Sequence, residues 1–423
     1  MHRIKVFFLC ISMGFFFCVN AQNKDSLMQE IRSLAKETDP AISLFKMNEM
    51  IDKYHLHKAK DAETIDMLKG IVAMDYVEAG KYKEFDRMIS SMANKFNQTS
   101  YLNMAASSLM KEDKDLKKAE SLAKQTLDLY LSIKDDPDAR PADFPEADWK
   151  RFMKFAFYPY NDTYARALYE LGKYKEALHY QEKAFDESPE KGMPASVERF
   201  ANLLVHNNQS DKAYSLLLEM AKTGKSNEGM NRLLKELYMK KGGSETAFDA
   251  FFTDLQKNVV AALKERLKKK MQDADAFQFT LKDVEGNAVS LSDFRGKIVV
   301  IDFWATWCVP CKASFPAMKK MQDRHPEVKF LFINTQEKQE GATERIKDYL
   351  SKSQYPFLVL MDQPSAENPE IFSIMSAYKV TGIPTKFIID ANGKQRFFSV
   401  GFTSDTELMN ELEAMIQLAA EQG

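Results

Sequence analysis

The sequence predicts a two-part protein, with an all-α domain of helical hairpins followed by an α/β domain built on a central mixed sheet covered by helices on both faces. Apolar residues recur at three- and four-residue spacing from about residue 26 to 270, as in amphipathic helices. After residue 276, short apolar segments alternate with turns and helical segments. A length of 423 residues also favours more than one domain. We place the boundaries at 1–21 for a signal peptide, 22–271 for the helical domain and 272–423 for the α/β domain.

The first residues have the pattern of an export signal. Arg3 and Lys5 precede an apolar run over residues 6–19, and the run ends in Val19-Asn20-Ala21. This is a basic start, an apolar middle and a small residue at a cleavage site. A membrane-spanning helix needs roughly 20 apolar residues, more than this run supplies. We therefore predict cleavage after Ala21 and a periplasmic or otherwise extracytoplasmic location, with membrane association left open.

The cysteine count points to redox chemistry. Of four cysteines, Cys10 and Cys18 lie within the predicted signal, so the mature chain keeps only Cys308 and Cys311. A single cysteine pair in an exported protein does not indicate a small fold held together by several disulfides. Tetrahedral zinc needs about four ligands, and there is no second cysteine pair. We expect no metal and no cofactor, and a net charge of −2 gives no indication of a nucleic-acid partner.

The helical half contains one segment that resembles a tetratricopeptide repeat. The turn Gly80-Lys81-Tyr82 has the same residues as Gly172-Lys173-Tyr174, and Ala213 follows Ala177 at close to the ~34-residue period of such repeats. Stacked helix pairs present a concave surface that binds proteins, so we expect a protein partner on this domain. An irregular helical bundle is the alternative. The residues at repeat positions are Gly172, Tyr174, Ala177, Ala184 and Pro189.

The C-terminal half alternates predicted strands with predicted helices. Buried strands are expected at Ile298–Trp304 and Val328–Ile333, because both segments are mainly apolar. A further strand is expected at Ala276–Leu281, a helix at Cys308–Arg324, and a hairpin turn at Ala391-Asn392-Gly393. This order predicts a sheet with helices on both faces.

The two cysteines lie where a buried strand meets a helix, in the segment Ile301–Lys312, IDFWATWCVPCK. Cys308 at the helix N-terminus faces free backbone N–H groups and the positive end of the helix dipole. That environment lowers the pKa of its thiol and makes Cys308 the attacking sulfur. Cys311 lies one turn later, close enough to form a disulfide. Pro310 costs little in a first turn, where N–H groups have no partner within the helix.

Several separated features resemble the thioredoxin superfamily and, within it, the secreted TlpA/ResA-like thiol–disulfide oxidoreductases. They are the motif Trp307–Lys312, Pro316 in the same helix, the loop Gly382-Ile383-Pro384-Thr385, Gly401 in the last strand, and Asp302 at the place of a buried acid. The resemblance covers residues 276–423.

The resemblance implies roles for eight residues. Cys308, Cys311, Asp302 and Pro384 would be catalytic, with Asp302 exchanging a proton with Cys311 and Pro384 in a cis peptide facing the disulfide. Trp307, Val309, Pro310 and Ile383 would contact the substrate. The buried acid of the family often has a lysine near it in the next strand, where this chain offers only Lys329.

These observations favour an extracytoplasmic enzyme that reduces protein disulfides. Cys308 attacks, a mixed disulfide forms, and Cys311 resolves it. The expected partners are protein disulfide substrates, a membrane or extracytoplasmic thiol donor, and a protein bound by the helical domain. One alternative is a peroxiredoxin-like peroxidase, although Ile301 and Ala305 stand where that chemistry requires Pro and Thr. Another is a partner-binding repeat protein with an accessory redox domain.

Overall fold

The structure is a computed structural model of the chain, and it describes residues 21–141, 144–186, 188–337, 341–365, 368 and 371–422. The predicted signal peptide, apart from Ala21, lies outside the described residues. Among the described residues, no helix is both long enough and apolar enough to span a bilayer.

The chain divides into two compact units. The first is Met1–Lys191 with His206–Asn208, and the second is Gly192–Val205 with Gln209–Gly423. The last helices before the sheet therefore group with the sheet. The sequence boundary between residues 271 and 272 instead marks the change from helix Glu245–Lys268 to strand Ala274–Asp275. As a boundary between domains it stays a prediction.

The first unit consists of helices that pair in sequence order. Gly80 and Gly172 have φ angles of 71° and 73°, a left-handed conformation that favours glycine, and each lies in the turn between two paired helices. The predicted helical hairpins are confirmed, while their assignment to the tetratricopeptide type stays a prediction. The helices are α1 (Ala21–Leu34), α2 (Pro40–Lys53), α3 (Ala62–Glu78), α4 (Tyr82–Ser90), α5 (Lys95–Lys111), α6 (Leu116–Ile133), α7 (Glu146–Glu170) and α8 (Tyr174–Phe185).

Small residues and aromatic contacts pack these hairpins. Ala119 of α6 and Ala177 of α8 are fully buried, which lets neighbouring helices approach closely. Between α7 and α8, the rings of Tyr164 and Tyr180 lie 4.6 Å apart. Buried alanines and paired aromatic rings thus form part of the core of this unit.

The second unit holds an eight-stranded mixed sheet, in the order β1-β8-β7-β4-β5-β6-β2-β3. Strands β4, β5 and β6 are parallel to one another, and the other pairs are antiparallel. The strands are β1 (Ala274–Asp275), β2 (Thr280–Asp283), β3 (Ala288–Ser290), β4 (Val299–Trp304), β5 (Lys329–Asn334), β6 (Val359–Met361), β7 (Thr385–Ile389) and β8 (Lys394–Val400). The helices are α9 (Pro194–His206), α10 (Ser210–Lys222), α11 (Glu228–Lys240), α12 (Glu245–Lys268), α13 (Val309–Arg324), α14 (Ala342–Ser353), α15 (Ser373–Ala377) and α16 (Asp405–Ala420).

One predicted strand is displaced. Residues 276–279 form no strand, and the hairpin of β2 and β3 begins only at Thr280. Ala276 and Phe279 are buried in the core through side-chain contacts, and the backbone N–H of Ala276 donates to the carbonyl of Gly393. The apolar residues of this stretch therefore indicate that their side chains are buried, and they do not indicate a β-strand.

The sheet carries helices on both faces, as the sequence predicts. All six residues of β4 are buried, and their side chains alternate between the faces. Val300 and Trp304 belong to a core cluster with residues of α12, α13, α14 and α16. Val299, Ile301 and Phe303 belong to a second cluster with residues of α15. Asp302, between Ile301 and Phe303, therefore faces the α13 side of the sheet.

Candidate active site

The cysteine pair lies at the start of α13. Cys308 is the N-cap residue, with an extended backbone, and its Sγ accepts a hydrogen bond from the N–H of Cys311 at 3.2 Å. The two residues form a disulfide, with their Cα atoms 5.3 Å apart. A sulfur at this position faces N–H groups that lack intrahelical partners, so the site favours a negative charge on Cys308.

The two sulfurs differ in access, and the rim around them is apolar. Cys308 is 3% exposed and Cys311 is 0% exposed, so an approaching group reaches Cys308 first. Trp307 and Val309 are 44% and 40% exposed, and Pro310 in the first turn is also exposed. Large apolar side chains in water beside a redox pair form a surface suited to contact with another molecule.

The loop before β7 contains the expected cis proline. The Ile383–Pro384 peptide bond is cis, and Pro384 is buried. Its carbonyl accepts a hydrogen bond from the N–H of Gly401 at 2.8 Å, which joins this loop to the end of β8. Ile383 packs against the core cluster that contains both cysteines.

Asp302 is fully buried on the same face of the sheet as that cluster. Burial raises the pKa of its carboxyl group, while the positive charge of Lys386 acts in the opposite direction. Lys386 lies directly across from Asp302 in the antiparallel register of β4 and β7. Its Nζ is 3.2 Å from Asp302 Oδ1, and the two side chains are 2% and 1% exposed. Neither group meets hydrogen-bond geometry, so the contact is an ion pair without an aligned hydrogen bond.

Lys386 is a residue that the sequence analysis missed. The expected position was the next strand along the chain, but Lys329 there places its Nζ 5.2 Å from the centre of the Phe294 ring. The available signal was that Lys386 is the one charged residue in the otherwise uncharged strand Thr385–Ile389. Since Lys386 offsets the charge of Asp302, Asp302 does not act as an isolated negative charge.

A second missed feature supports the loop before Cys308. The indole Nε1 of Trp307 donates to the carbonyl of Gln336 at 3.0 Å. The backbone N–H of Thr306 donates to Oε1 of Glu337. Both acceptors lie just after β5, so this segment holds two consecutive residues of the redox loop.

Within the described ranges, no group of three or more His, Cys, Asp or Glu side chains is arranged to hold a metal ion.

The similarity of this chain to known proteins lies in its C-terminal α/β domain. Residues 273–397 match the AhpC/TSA family. The thiol–disulfide oxidoreductase ResA of Bacillus subtilis (strain 168) is 32% identical over 139 residues, which are 32% of this chain and 70% of that protein. The thioredoxin-like protein YneN of the same organism is 29% identical over 135 residues, 32% of this chain and 75% of that protein. A crystal structure of a thioredoxin-family thiol:disulfide interchange protein from Chlorobium tepidum TLS is 26% identical, covering 35% of this chain and 97% of that one, with a TM-score of 0.29.

Proposed function

We propose that this chain, which belongs to the ResA-like thiol–disulfide oxidoreductases of the thioredoxin superfamily, reduces disulfide bonds of other proteins outside the cytoplasm. The observation that carries the proposal is the asymmetry of the cysteine pair. Cys308 caps a helix N-terminus and reaches the surface, whereas Cys311 is wholly buried behind it. This is the arrangement that an attacking and a resolving sulfur require.

In the first step the Cys308 thiolate attacks one sulfur of the substrate disulfide. A bond forms between Cys308 and that sulfur, the substrate disulfide breaks, and its other sulfur leaves as a thiolate. The N–H of Cys311, 3.2 Å from the Cys308 sulfur, and the dipole of α13 stabilise the attacking thiolate.

In the second step Cys311 attacks Cys308 and releases the reduced substrate. Cys311 must lose its proton first, and Asp302 is a buried carboxyl group on the same side of the sheet. When Asp302 accepts that proton, Lys386 keeps its positive charge near the new thiolate, so the total charge does not change. The products are the Cys308–Cys311 disulfide and a substrate dithiol. An extracytoplasmic or membrane thiol donor then returns the pair to the dithiol form.

The substrate lies against the exposed apolar rim. Trp307, Val309 and Pro310 surround the accessible sulfur, and Ile383 precedes the cis proline. The exposed apolar side chains of this rim favour contact with apolar segments of a protein substrate. The helical domain would select or position such partners and carry out no chemistry.

The direction of electron flow is reduction. No histidine stands between the two cysteines, where DsbA-like oxidants place one, and the resemblance to the reducing branch extends to Ile383 before Pro384. A potential well below the value of about −120 mV of a DsbA-like oxidant is expected. Equilibration of the mature chain with a glutathione buffer measures this value.

Insulin reduction and peroxide consumption by the mature chain, residues 22–423, test the proposal. Reduction of insulin that disappears in Cys308→Ser is the expected result. Peroxide consumption without insulin reduction would instead establish the peroxidase alternative. Cys311→Ser should trap a mixed disulfide on Cys308, and mass spectrometry of the trapped species identifies the substrate.

A further inference from the structure

We infer that Glu337 is a positioning residue of the redox site, a carboxylate that anchors the loop before Cys308 and keeps the disulfide form favoured. The inference deepens the proposed function, and it rests on that function only in taking Cys308–Cys311 as the redox pair.

Glu337 contacts the redox loop directly. Its Oε1 accepts a hydrogen bond from the N–H of Thr306, two residues before Cys308. The preceding residue, Gln336, accepts from the indole of Trp307 through its carbonyl. Two adjacent residues after β5 thus hold two adjacent residues of the loop, one through the backbone and one through the indole.

The carboxylate is held in place by its surroundings. Glu337 is 7% exposed, and its second oxygen, Oε2, lies 3.5 Å from Nη2 of Arg345 on α14. The Arg345 side chain is 42% exposed, so solvent partly screens this ion pair, while the other carboxylate oxygen faces the Thr306 N–H of the loop.

The backbone beside Glu337 adopts an unfavourable conformation. Gln336 has a φ of 54°, in the left-handed region that non-glycine residues rarely adopt. This conformation accompanies the placement of the Gln336 carbonyl on Trp307 and the Glu337 carboxylate on Thr306. The contacts with Trp307 and Thr306 help to stabilise this conformation of Gln336.

Two effects link Glu337 to the redox equilibrium. A fixed loop holds Cys308 close to Cys311, which raises the effective concentration of one thiol at the other and favours the disulfide. A negative charge near the start of α13 also disfavours the Cys308 thiolate, so it raises the pKa of that thiol in the reduced form. Both effects make the pair a stronger reductant.

Two substitutions separate these effects. Glu337→Gln removes the charge and keeps an oxygen that can accept from Thr306, whereas Glu337→Ala removes both. Glu344→Gln is the matched control, because Glu344 is exposed on α14 and its loss changes the net charge equally. Circular dichroism and thermal melting establish that each full-length mature variant is folded.

The fraction of oxidised pair is measured in a dithiothreitol redox buffer by alkylation and mass shift. Glu337→Ala should move the equilibrium constant toward the dithiol by roughly tenfold, equivalent to about 30 mV, and Glu337→Gln by less. The pH profile of Cys308 alkylation should shift to lower pH in both variants, and Glu344→Gln should match the wild type in both assays.

A folded Glu337→Ala protein with the wild-type potential and alkylation profile would overturn the inference, as would an equal shift in Glu344→Gln. Neither assay uses a protein substrate. If the wild type fails to reduce insulin while the Glu337 variants shift the potential, the proposed function fails and the positioning role stands.

Discussion

Asp66 and Asp302 are fully buried carboxylates, one in each unit, and they lie in different surroundings. In the helical unit, Asp66 accepts hydrogen bonds from the backbone N–H groups of Ala93 and Asn94, each at 2.9 Å, and from the side chain of Asn97. In the α/β unit, neither oxygen of Asp302 has an aligned hydrogen bond. Hydrogen bonds to the ionised form lower the pKa of a buried carboxyl group, whereas burial raises the pKa of Asp302 and so favours its protonated form.

The positive charge of Lys386 beside Asp302 is a second difference between Asp302 and Asp66. Lys386 lies 3.2 Å from Asp302 in a buried contact that lacks hydrogen-bond geometry. Burial of an ion pair recovers little of the cost of desolvation when the hydrogen bonds are incomplete. The pair therefore contributes poorly to stability, and its place on the face of the cysteines points to chemistry. The following substitutions test that assignment.

Asp66→Ala should produce the largest effect, on stability alone. Two partly buried backbone N–H groups near the start of α5 lose their charged acceptor, and a hydrogen bond to a charged group contributes about 1.5–3 kcal/mol. We expect a loss of roughly 3 kcal/mol in the free energy of unfolding, measured by urea denaturation. Asp86→Ala, which removes an exposed partner of Lys118, is the control and should cost at most about 1 kcal/mol. A redox potential that changes in Asp66→Ala would contradict the assignment.

Asp302→Asn should slow the chemistry more than it affects the fold. Without a proton acceptor for Cys311, resolution of a mixed disulfide at neutral pH should slow by about a hundredfold, the lower end for general acid–base catalysis. Stopped-flow measurement of mixed-disulfide decay gives this rate. A wild-type rate in the variant would show that Asp302 takes no part in the proton transfer.

Asp302 also predicts how stability depends on pH. Because burial raises its pKa in the folded state, the folded chain retains a proton that the unfolded chain releases above its ordinary pKa of about 3.9. The contribution of Asp302 to the free energy of unfolding therefore falls as pH rises from that value to the higher folded pKa. Asp302→Asn should remove this fall. Urea denaturation from pH 4 to pH 7 should show a shallower decline in the variant than in the wild type.

Lys386→Met should slow the resolution of the mixed disulfide less than Asp302→Asn does. It should also shift the pH dependence of that rate. Without the ammonium group, the pKa of Asp302 rises further, so the proton acceptor is lost at neutral pH and regained at higher pH. We expect resolution about tenfold slower at pH 7, with the rate recovering as the pH is raised. Lys329→Met is the matched control, since Lys329 packs on Phe294, and it should leave the pH profile unchanged. An unshifted profile in Lys386→Met would separate Lys386 from the reaction.

Trp307→Ala should have the smallest effect. In the proposed mechanism the exposed indole contacts substrate and takes no part in proton transfer, so the variant should lose affinity for insulin by roughly threefold to tenfold, in line with about 1 kcal/mol for a partly buried aromatic contact. Initial rates against insulin concentration would show a raised KM with kcat little changed. A fall in kcat alone would place Trp307 in the chemistry.

The sequence by itself determined the features that depend on neighbouring residues. The strand–helix junction that places Cys308 at a helix N-terminus follows from one short segment, and the resemblance of residues 382–385 to the thioredoxin superfamily implied the cis proline at Pro384. The order of apolar segments, turns and helical segments likewise predicted the mixed sheet with helices on both faces.

Only the tertiary structure decided which distant residues meet. Lys386 faces Asp302 because β7 runs antiparallel to β4 in one register, and a shift of one residue would turn its side chain to the other face. The Glu337 carboxylate contacts the Thr306 N–H next to a left-handed backbone conformation at Gln336, which the local sequence does not predict. The grouping of α9 to α12 with the sheet also depends on packing between remote segments. Local amino-acid patterns indicate whether a segment is a helix or a strand and where it begins and ends. Strand register and side-chain packing determine which distant residues it contacts.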